Sequence, residues 1–425
     1  MRNLADRASL NILPLEVLTA LQLCTANEPL FPNLRSLDLW TVSAGFVPFI
    51  PLFLSPRTTV VKTGSFEYNP QRTMVASMIT SFSTLCPNLR EIDLSHLPRD
   101  PVITAAVSGM LLAANRDTLQ SFHVDSPLTG EALQIIYKLP NLRGLSIVIE
   151  KDTSLPPLAF PNLTDLVIKF DHDGDGLQVF RGAALGKLET VTFHFGSGQI
   201  GDFLETFERV ALAASIQNTL SEFCFHTSRT WIPNYPCLLP FTQLTNLVIE
   251  FSCSDGCSST VDDDIVVELA RTMPKLDSLA LGDEPCSEIH TGVTIKGLVA
   301  LAHHCPDLYT LRVHFQVASL AAPPASGAIL HVGPTALRRD CALAELEVGE
   351  IPIPEESVLV IAMTLAHIFP RIYYIHYVDE NWERVMDAIC LSRQIVDFSS
   401  EERPLSTLRC IFDDTSPGAT LEIGC

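Results

Sequence analysis

Positive charge is scarce in this 425-residue chain: 28 Lys and Arg stand against 49 Asp and Glu, a formal net charge of −21. Phosphate backbones and anionic lipid surfaces repel such a chain, so neither nucleic acid nor membrane is an expected partner. Long apolar runs are missing as well. The two most apolar internal stretches are GFVPFIPLFLSP (45–56) and SVLVIAMTLAHIF (357–369), short of the roughly 20 residues a membrane helix needs. The N-terminal MRNLADRASLNILPLEVLTALQLC is broken by Pro14 and Glu16, which a secretory signal core does not tolerate. An intracellular chain, cytoplasmic or nuclear, is expected. The sequence also lacks a G-x-S-x-G elbow, an H-E-x-x-H helix and a phosphate-binding P-loop, so no enzyme is expected. Its 12 cysteines show no repeated spacing, and the one tight pair, Cys253 and Cys257, has no second pair nearby to complete a zinc site. No metal and no cofactor is expected.

What is present is a repeat. The pattern L-x-x-L-x-L recurs as LRSLDL (34–39), LREIDL (89–94), LQSFHV (119–124), LRGLSI (142–147), LTDLVI (163–168) and LETVTF (188–193). It continues as LSEFCF (220–225), LTNLVI (244–249), LDSLAL (276–281), LYTLRV (308–313) and LAELEV (343–348), with degraded copies at TTVVKT (58–63) and IYYIHY (372–377). Neighbouring copies lie 21 to 35 residues apart. Each alternates apolar and polar residues over its last four positions, the period of a strand with one buried face. Helix-like stretches lie between copies, among them VITAAVSGMLLAAN, GEALQIIYKL, DFLETFERVALAASI, DDDIVVELARTM and IKGLVALAHHC. Many copies open with FPNL, CPNL, LPNL, MPKL or CPDL; proline there stops the helix and launches the strand. One strand-plus-helix unit cannot bury its apolar face alone, but a stack can. The expected fold is an α/β leucine-rich-repeat solenoid, with parallel strands on the concave face, helices on the convex face, and irregular repeats.

These motifs resemble the leucine-rich-repeat region of F-box proteins, especially the set found in basidiomycete fungi. LQLCTANEPLFPNLRSLDLW is similar to their first repeat and VLVIAMTLAHIFPRIYYIHYVDENWERV to their closing segment. The resemblance implies a substrate-reading surface of an SCF-type ubiquitin ligase, with an F-box that binds a Skp-type adaptor. ILPLEVLTAL (12–21) resembles the opening of an F-box, but the first repeat starts by Leu34. Residues 1–30 are therefore expected to be an N-terminal cap or remnant, 31–378 the solenoid, and 379–425 a C-terminal capping helix and tail. In that tail Trp382, Val385, Met386 and Ile389 share helical spacing. A stand-alone repeat scaffold unrelated to ubiquitination is the alternative. The sequence also departs from the usual repeat, L-x-x-L-x-L-x-x-N. The asparagine slot holds Val42, Leu97, Pro127, Glu150, Asp171, Gly196, Ser228, Ser252, Glu284, Gln316 and Ile351, so no asparagine ladder is expected there.

Two stretches imitate cofactor sites. GSGQIG (196–201) follows a strand-like run and precedes a helix-like one, as a dinucleotide-binding turn does; this remote reading makes the chain a dinucleotide-binding enzyme. Gly196, however, falls where every repeat turns off its strand, and the following strand carries Glu222 near its start rather than an acid at its end. DHDGDG (171–176) opens like a calcium loop, but Gly182 stands where the bidentate Glu belongs.

The repeat phase defines the concave face, because alternate strand residues point away from the leucines. It carries Asp38, Glu91, Asp93, Asp125, Asp165, Glu222, Glu250, Glu345 and Glu347 against Lys169 and Arg312. An acidic face favours a neutral or basic protein partner. One column is expected to run Asp125, Val148, Lys169, His194, His226, Glu250, with Cys224 two residues from His226 on the same face. The candidate protein-binding residues are Asp165, Lys169, His194, Glu222, Cys224, His226, Glu250, Arg312 and His314. Two adjacent histidines are expected to weaken binding below about pH 6.5 by mutual repulsion.

Overall fold

In the copies of the repeat pattern the leucine positions turn inward and the residues between them outward, save that Tyr377, at the last leucine position of IYYIHY, is exposed. This follows from the alternation of side chains along a strand: β9 (Glu222–Thr227) buries Phe223, Phe225 and Thr227 and leaves Glu222, Cys224 and His226 half-buried. The computed structural model describes residues 3–6, 14–25, 28–66, 71–113, 117–150, 160–170, 185–196, 203–227, 234–251, 261–282, 292–321, 341–349, 351–377 and 379–400. Within them all thirteen copies, the degraded ones included, are strands of one sheet.

The remaining strands in chain order are β1 (Asn3–Asp6), β2 (Ser36–Val42), β3 (Val60–Phe66), β4 (Glu91–Leu94), β5 (Ser121–Pro127), β6 (Gly144–Ile149), β7 (Asp165–Phe170) and β8 (Thr190–Phe195). After β9 come β10 (Asn246–Phe251), β11 (Ser278–Leu281), β12 (Thr310–Val313), β13 (Glu345–Gly349) and β14 (Tyr374–Tyr377). Each pairs in parallel with the next, so spatial order equals chain order throughout the sheet. Parallel neighbours in unbroken chain order are the topology of a leucine-rich-repeat solenoid. β1 pairs with β2 from Asn3↔Ser36 to Asp6↔Leu39. It carries no L-x-x-L-x-L pattern, so the repeat search passes over it.

The crossover layer holds α1 (Leu15–Thr25), α2 (Arg72–Leu85), α3 (Pro101–Ala113), α4 (Gly130–Ile136), α5 (Phe203–Ala214), α6 (Asp263–Thr272), α7 (Ile295–His304), α8 (Val317–Ala321), α9 (Val358–Ile368) and α10 (Glu380–Ser400). The prolines of GFVPFIPLFLSP limit that stretch to a 3-10 helix over Val47–Phe53. Buried residues of strands and helices form one continuous core. In its middle the leucines give way to phenylalanines: Phe170 stacks on Phe195 at 4.5 Å, and Phe193 meets Phe203 edge-on at 4.7 Å and Phe207 at 5.5 Å. At the C-terminal end Trp382, Val385 and Ile389 of α10 are fully buried, and the Trp382 indole N–H donates to the Ile351 carbonyl at 2.8 Å.

The proline turns work as their chemistry requires. The first leucine donates its N–H to the carbonyl three residues back, as Leu34 does to Phe31 (2.9 Å) and Leu276 to Met273 (3.2 Å), with proline at the second turn position. The asparagine of P-N-L then reaches across the stack. The side-chain amide of Asn88 donates to the Pro56 carbonyl (3.2 Å), Asn141 to Asp117 (2.7 Å) and Asn162 to Pro140 (2.9 Å), while Lys187 donates to the Asn162 oxygen (2.8 Å). An asparagine ladder therefore exists at the turn entering the strand, one turn away from its usual place. In the slot leaving the strand, Val42, Leu97 and Ile351 are buried apolar residues instead.

Adjacent repeats are also joined through helix ends. Asp263, in the first turn of α6, accepts from the Thr294 N–H (2.8 Å), the Thr294 hydroxyl (2.6 Å) and the Gly297 N–H (2.9 Å) at the start of α7. One carboxylate thus caps the first turn of the next helix from the neighbouring repeat.

Candidate functional site

The outward side chains of β6 to β13 form lateral rows, because parallel pairing in constant register puts equivalent positions side by side. Lys169, His194, His226 and Glu250 are consecutive partners across β7, β8, β9 and β10. The expected column breaks at its first member: β5 shifts register against β6, and Pro127 rather than Asp125 stands opposite Val148. The shift follows a strand extended by Ser126 and Pro127, and proline supplies no N–H to keep the ladder regular. Asp125 still reaches the row. Lys169 extends over Val148, which is 1% exposed, to pair with Asp125 at 2.7 Å.

His194 and His226 stack with ring centroids 4.6 Å apart and planes 11° from parallel. Burial, reinforced by the charge of His226 and Lys169, pushes His194 down to about 4. His194 is therefore neutral at physiological pH, and the repulsion expected below about pH 6.5 is displaced: it sets in only when His194 itself takes up a proton. Under the pair lies the phenylalanine slab, since Phe193, Phe195, Phe223 and Phe225 alternate with these histidines on the opposite side of the same strands. Little room is left for the rings to sink.

Glu250 is the junction of the network. It accepts from His226 Nδ1 through Oε2 and from Arg312 through Oε1. These hydrogen bonds and the Arg312 charge hold its carboxyl at about 2, against the opposing effect of burial. Arg312 belongs to β12 and spans β11 to reach β10. Ala280 at the crossed position is small, and β11 is followed by Gly282, whose φ of +109° suits glycine. The same guanidinium lies 3.7 Å from Glu347 on β13, and its side chain is only 16% exposed.

The remaining candidates stand around this line. Asp165, exposed at the start of β7, accepts from the Thr164 hydroxyl at 2.6 Å. Glu222 is half-buried, in register between Thr190 and Asn246. Cys224 lies between Thr192 and Val248; burial pushes its thiol up to about 11, so it is no nucleophile at neutral pH. His314 sits just past β12, its ring beside Gly282. The structure thus brings Lys169, His194, Cys224, His226, Glu250 and Arg312 together, with Asp165 and Glu222 along one margin and His314 beyond the strand end.

Sequence reasoning missed Lys62. It occupies the face position of the degraded repeat TTVVKT and pairs with Glu91 at 2.6 Å. Glu91, Asp125, Glu250 and Glu347 thus each meet a cation on the face itself. Asp38, Asp93, Asp165, Glu222 and Glu345 form no ion pair among the described residues. The face is a partly self-neutralised polar strip rather than a uniformly acidic one. Reading the outward position of the degraded copy as strictly as the others would have found Lys62.

Among the described residues no group of three or more His, Cys, Asp or Glu is placed to hold a metal ion. Gly196 continues the β8 ladder, its N–H donating to the Phe170 carbonyl at 3.0 Å. The rest of the glycine stretch (197–201), DHDGDG (171–176), Cys253 and Cys257, and the tail beyond 400 lie outside the described residues. No described helix is long and apolar enough to cross a membrane.

No family model matches the chain, and no curated protein matches it. Among solved structures, an internalin from Listeria monocytogenes is similar at 11% identity over 80% of each chain, with a TM-score of 0.39. A TDR receptor is similar at 13% identity over 86% of this chain and 78% of its own, with a TM-score of 0.22. At these values the fold rests on the parallel sheet and its repeat pattern.

Proposed function

We propose that this leucine-rich-repeat chain is a protein-binding protein, with the open face of its sheet as the binding surface. The observation that carries the reading is the line of polar side chains from Asp125 to Glu347, in register from Lys169 to Glu250 and extended at either end by the ion pairs of Lys169 and Arg312. These side chains come from strands many residues apart in sequence, yet they lie side by side on a rigid, continuous support. A surface of this width and polarity suits a protein partner, with interface polar groups held in place before binding. His194 and His226 form its centre, and their stacked rings keep the rotamer entropy lost on binding small.

Within that reading, the chain serves as the substrate-recognition region of an SCF-type ubiquitin ligase, working in the cytoplasm or nucleus. Support comes from the P-N-L-opened repeats and their resemblance to F-box proteins. The two levels separate experimentally. Proximity labelling in the source cell, comparing the native chain with a His194→Ala, His226→Ala variant, tests the binding face: labelled proteins lost on substitution are expected, and an unchanged set contradicts it. Co-purification of a Skp-type adaptor tests the ligase role. Its clean absence from an otherwise efficient pull-down removes the ligase role and leaves a stand-alone interaction scaffold.

A further inference from the structure

We infer that the C-terminal end of the open face, formed by β12, β13 and β14, holds an arginine side chain presented by a protein partner. The inference rests on the binding role of this face and specifies the chemistry of its contact. The exposed tyrosines among the described residues gather here. Tyr373 is 52% exposed and Tyr374 45%, whereas Tyr137 and Tyr235 elsewhere are packed into the core. Tyr309 and Tyr373 close over the buried Ala344, hydroxyl to hydroxyl at 2.7 Å, with ring centroids 6.5 Å apart. Tyr374 meets His376 edge-on at 4.3 Å, which leaves a tyrosine ring standing beside the row.

Between these aromatic walls lie two carboxylates. Register places Glu345 between Thr310 and Tyr374, and Glu347 between Arg312 and His376. Glu345 receives hydroxyl donors alone, Tyr373 at 3.3 Å and Thr310 at 3.4 Å, and no cation among the described residues. Among the described residues Arg312 is the cation that reaches this corner, and Glu250 already engages it; its distance to Glu347 is 3.7 Å. Among the described residues the corner therefore has negative charge in excess of what its own side chains neutralise, set beside exposed aromatic faces. A guanidinium satisfies both features at once: it pairs bidentately with carboxylate and stacks on tyrosine, which a lysine ammonium does less well. Tyrosine and arginine are also the residues that concentrate binding energy at interfaces.

The test uses the full chain and a displayed library of random linear peptides. Peptides recovered on the native chain but not on a Glu345→Gln, Tyr374→Ala variant are expected to share an arginine. A synthetic peptide from that set is expected to lose about tenfold or more in affinity with either single substitution, and similarly when its arginine is replaced by glutamine. Glu268→Gln, an exposed charge on α6, removes the same charge from the opposite side and is expected to leave affinity unchanged. Winning peptides without arginine, or equal losses from Glu268→Gln and Glu345→Gln, overturn the inference. Peptides displaced by His194→Ala but indifferent to Glu345→Gln overturn this corner while sustaining the open-face reading. Recovery of no open-face binder contradicts both.

Discussion

The middle of the open face and its C-terminal end are built on the same strand pattern and treat polar side chains in opposite ways. Along the central row from β5 to β10 the charges are spent on one another: Lys169 bridges to Asp125, His226 and, reaching across from β12, Arg312 converge on Glu250, and phenylalanines pack beneath, while Asp165 and Glu222 at the strand starts form no ion pair among the described residues. From β12 to β14 a carboxylate held only by hydroxyls stands among exposed tyrosines. The middle gains definition from mutual satisfaction, because a half-buried charge without a partner would be costly. The end leaves capacity for contacts from outside. A single repeat motif can thus supply both scaffold and contact surface, depending on whether the outward residues of neighbouring strands complement each other.

Substitution in the slab should break the comparison most severely. Phe193→Ala removes a ring that packs against Phe170, Phe203, Phe207 and Phe223. A loss of about 3 to 5 kcal/mol is expected, read as a large fall in the thermal unfolding midpoint. Next comes a matched pair on the face. Glu250→Gln takes the charge from both His226 and Arg312 and should cost about 2 kcal/mol, whereas Glu345→Gln should change stability by less than about 0.5 kcal/mol. Chemical unfolding of the two variants checks both. Equal effects would erase the distinction between middle and end.

Acid should weaken the middle in two stages. His194 is lowered in the folded chain to about 4, so the unfolded chain binds its proton first, and stability falls as pH drops from about 6.5 towards 4. Glu250 is lowered to about 2, so a further loss follows from about 4.5 downwards. Unfolding midpoints across this range should flatten in the upper window for His194→Asn and in the lower window for Glu250→Gln. The smallest effect belongs to Asn162→Ala at a proline turn. Loss of its exposed bonds to Pro140 and Lys187 should cost about 0.5 to 1 kcal/mol.

The strands were legible because a two-residue period with a buried face leaves a regular imprint, down to TTVVKT and IYYIHY. Helix positions followed from the same spacing: the expected DDDIVVELARTM and IKGLVALAHHC became α6 and α7. β1 was not legible, since Asn3–Asp6 carries no L-x-x-L-x-L pattern to mark it. On the face, lateral neighbours such as His194 and His226 could be read from strand phase alone. Longer reaches could not. Lys169 passes over Val148 and Arg312 over Ala280 because those intervening side chains are compact, and a long flexible cation selects among acids by geometry rather than by phase. The asparagine ladder was sought in the turn leaving the strand, yet the repeated asparagine of P-N-L was in view at the turn entering it. Any position repeated at constant phase can build a ladder, whichever side of the strand it occupies.

A double-mutant cycle across Glu250 and Arg312, measured by unfolding of the native chain, Glu250→Ala, Arg312→Ala and the double variant, tests most directly whether the middle of the face is held by its own charges. A coupling free energy of about 1 to 3 kcal/mol is predicted, the range of residues that share one network. Effects that add to within about 0.5 kcal/mol would contradict it.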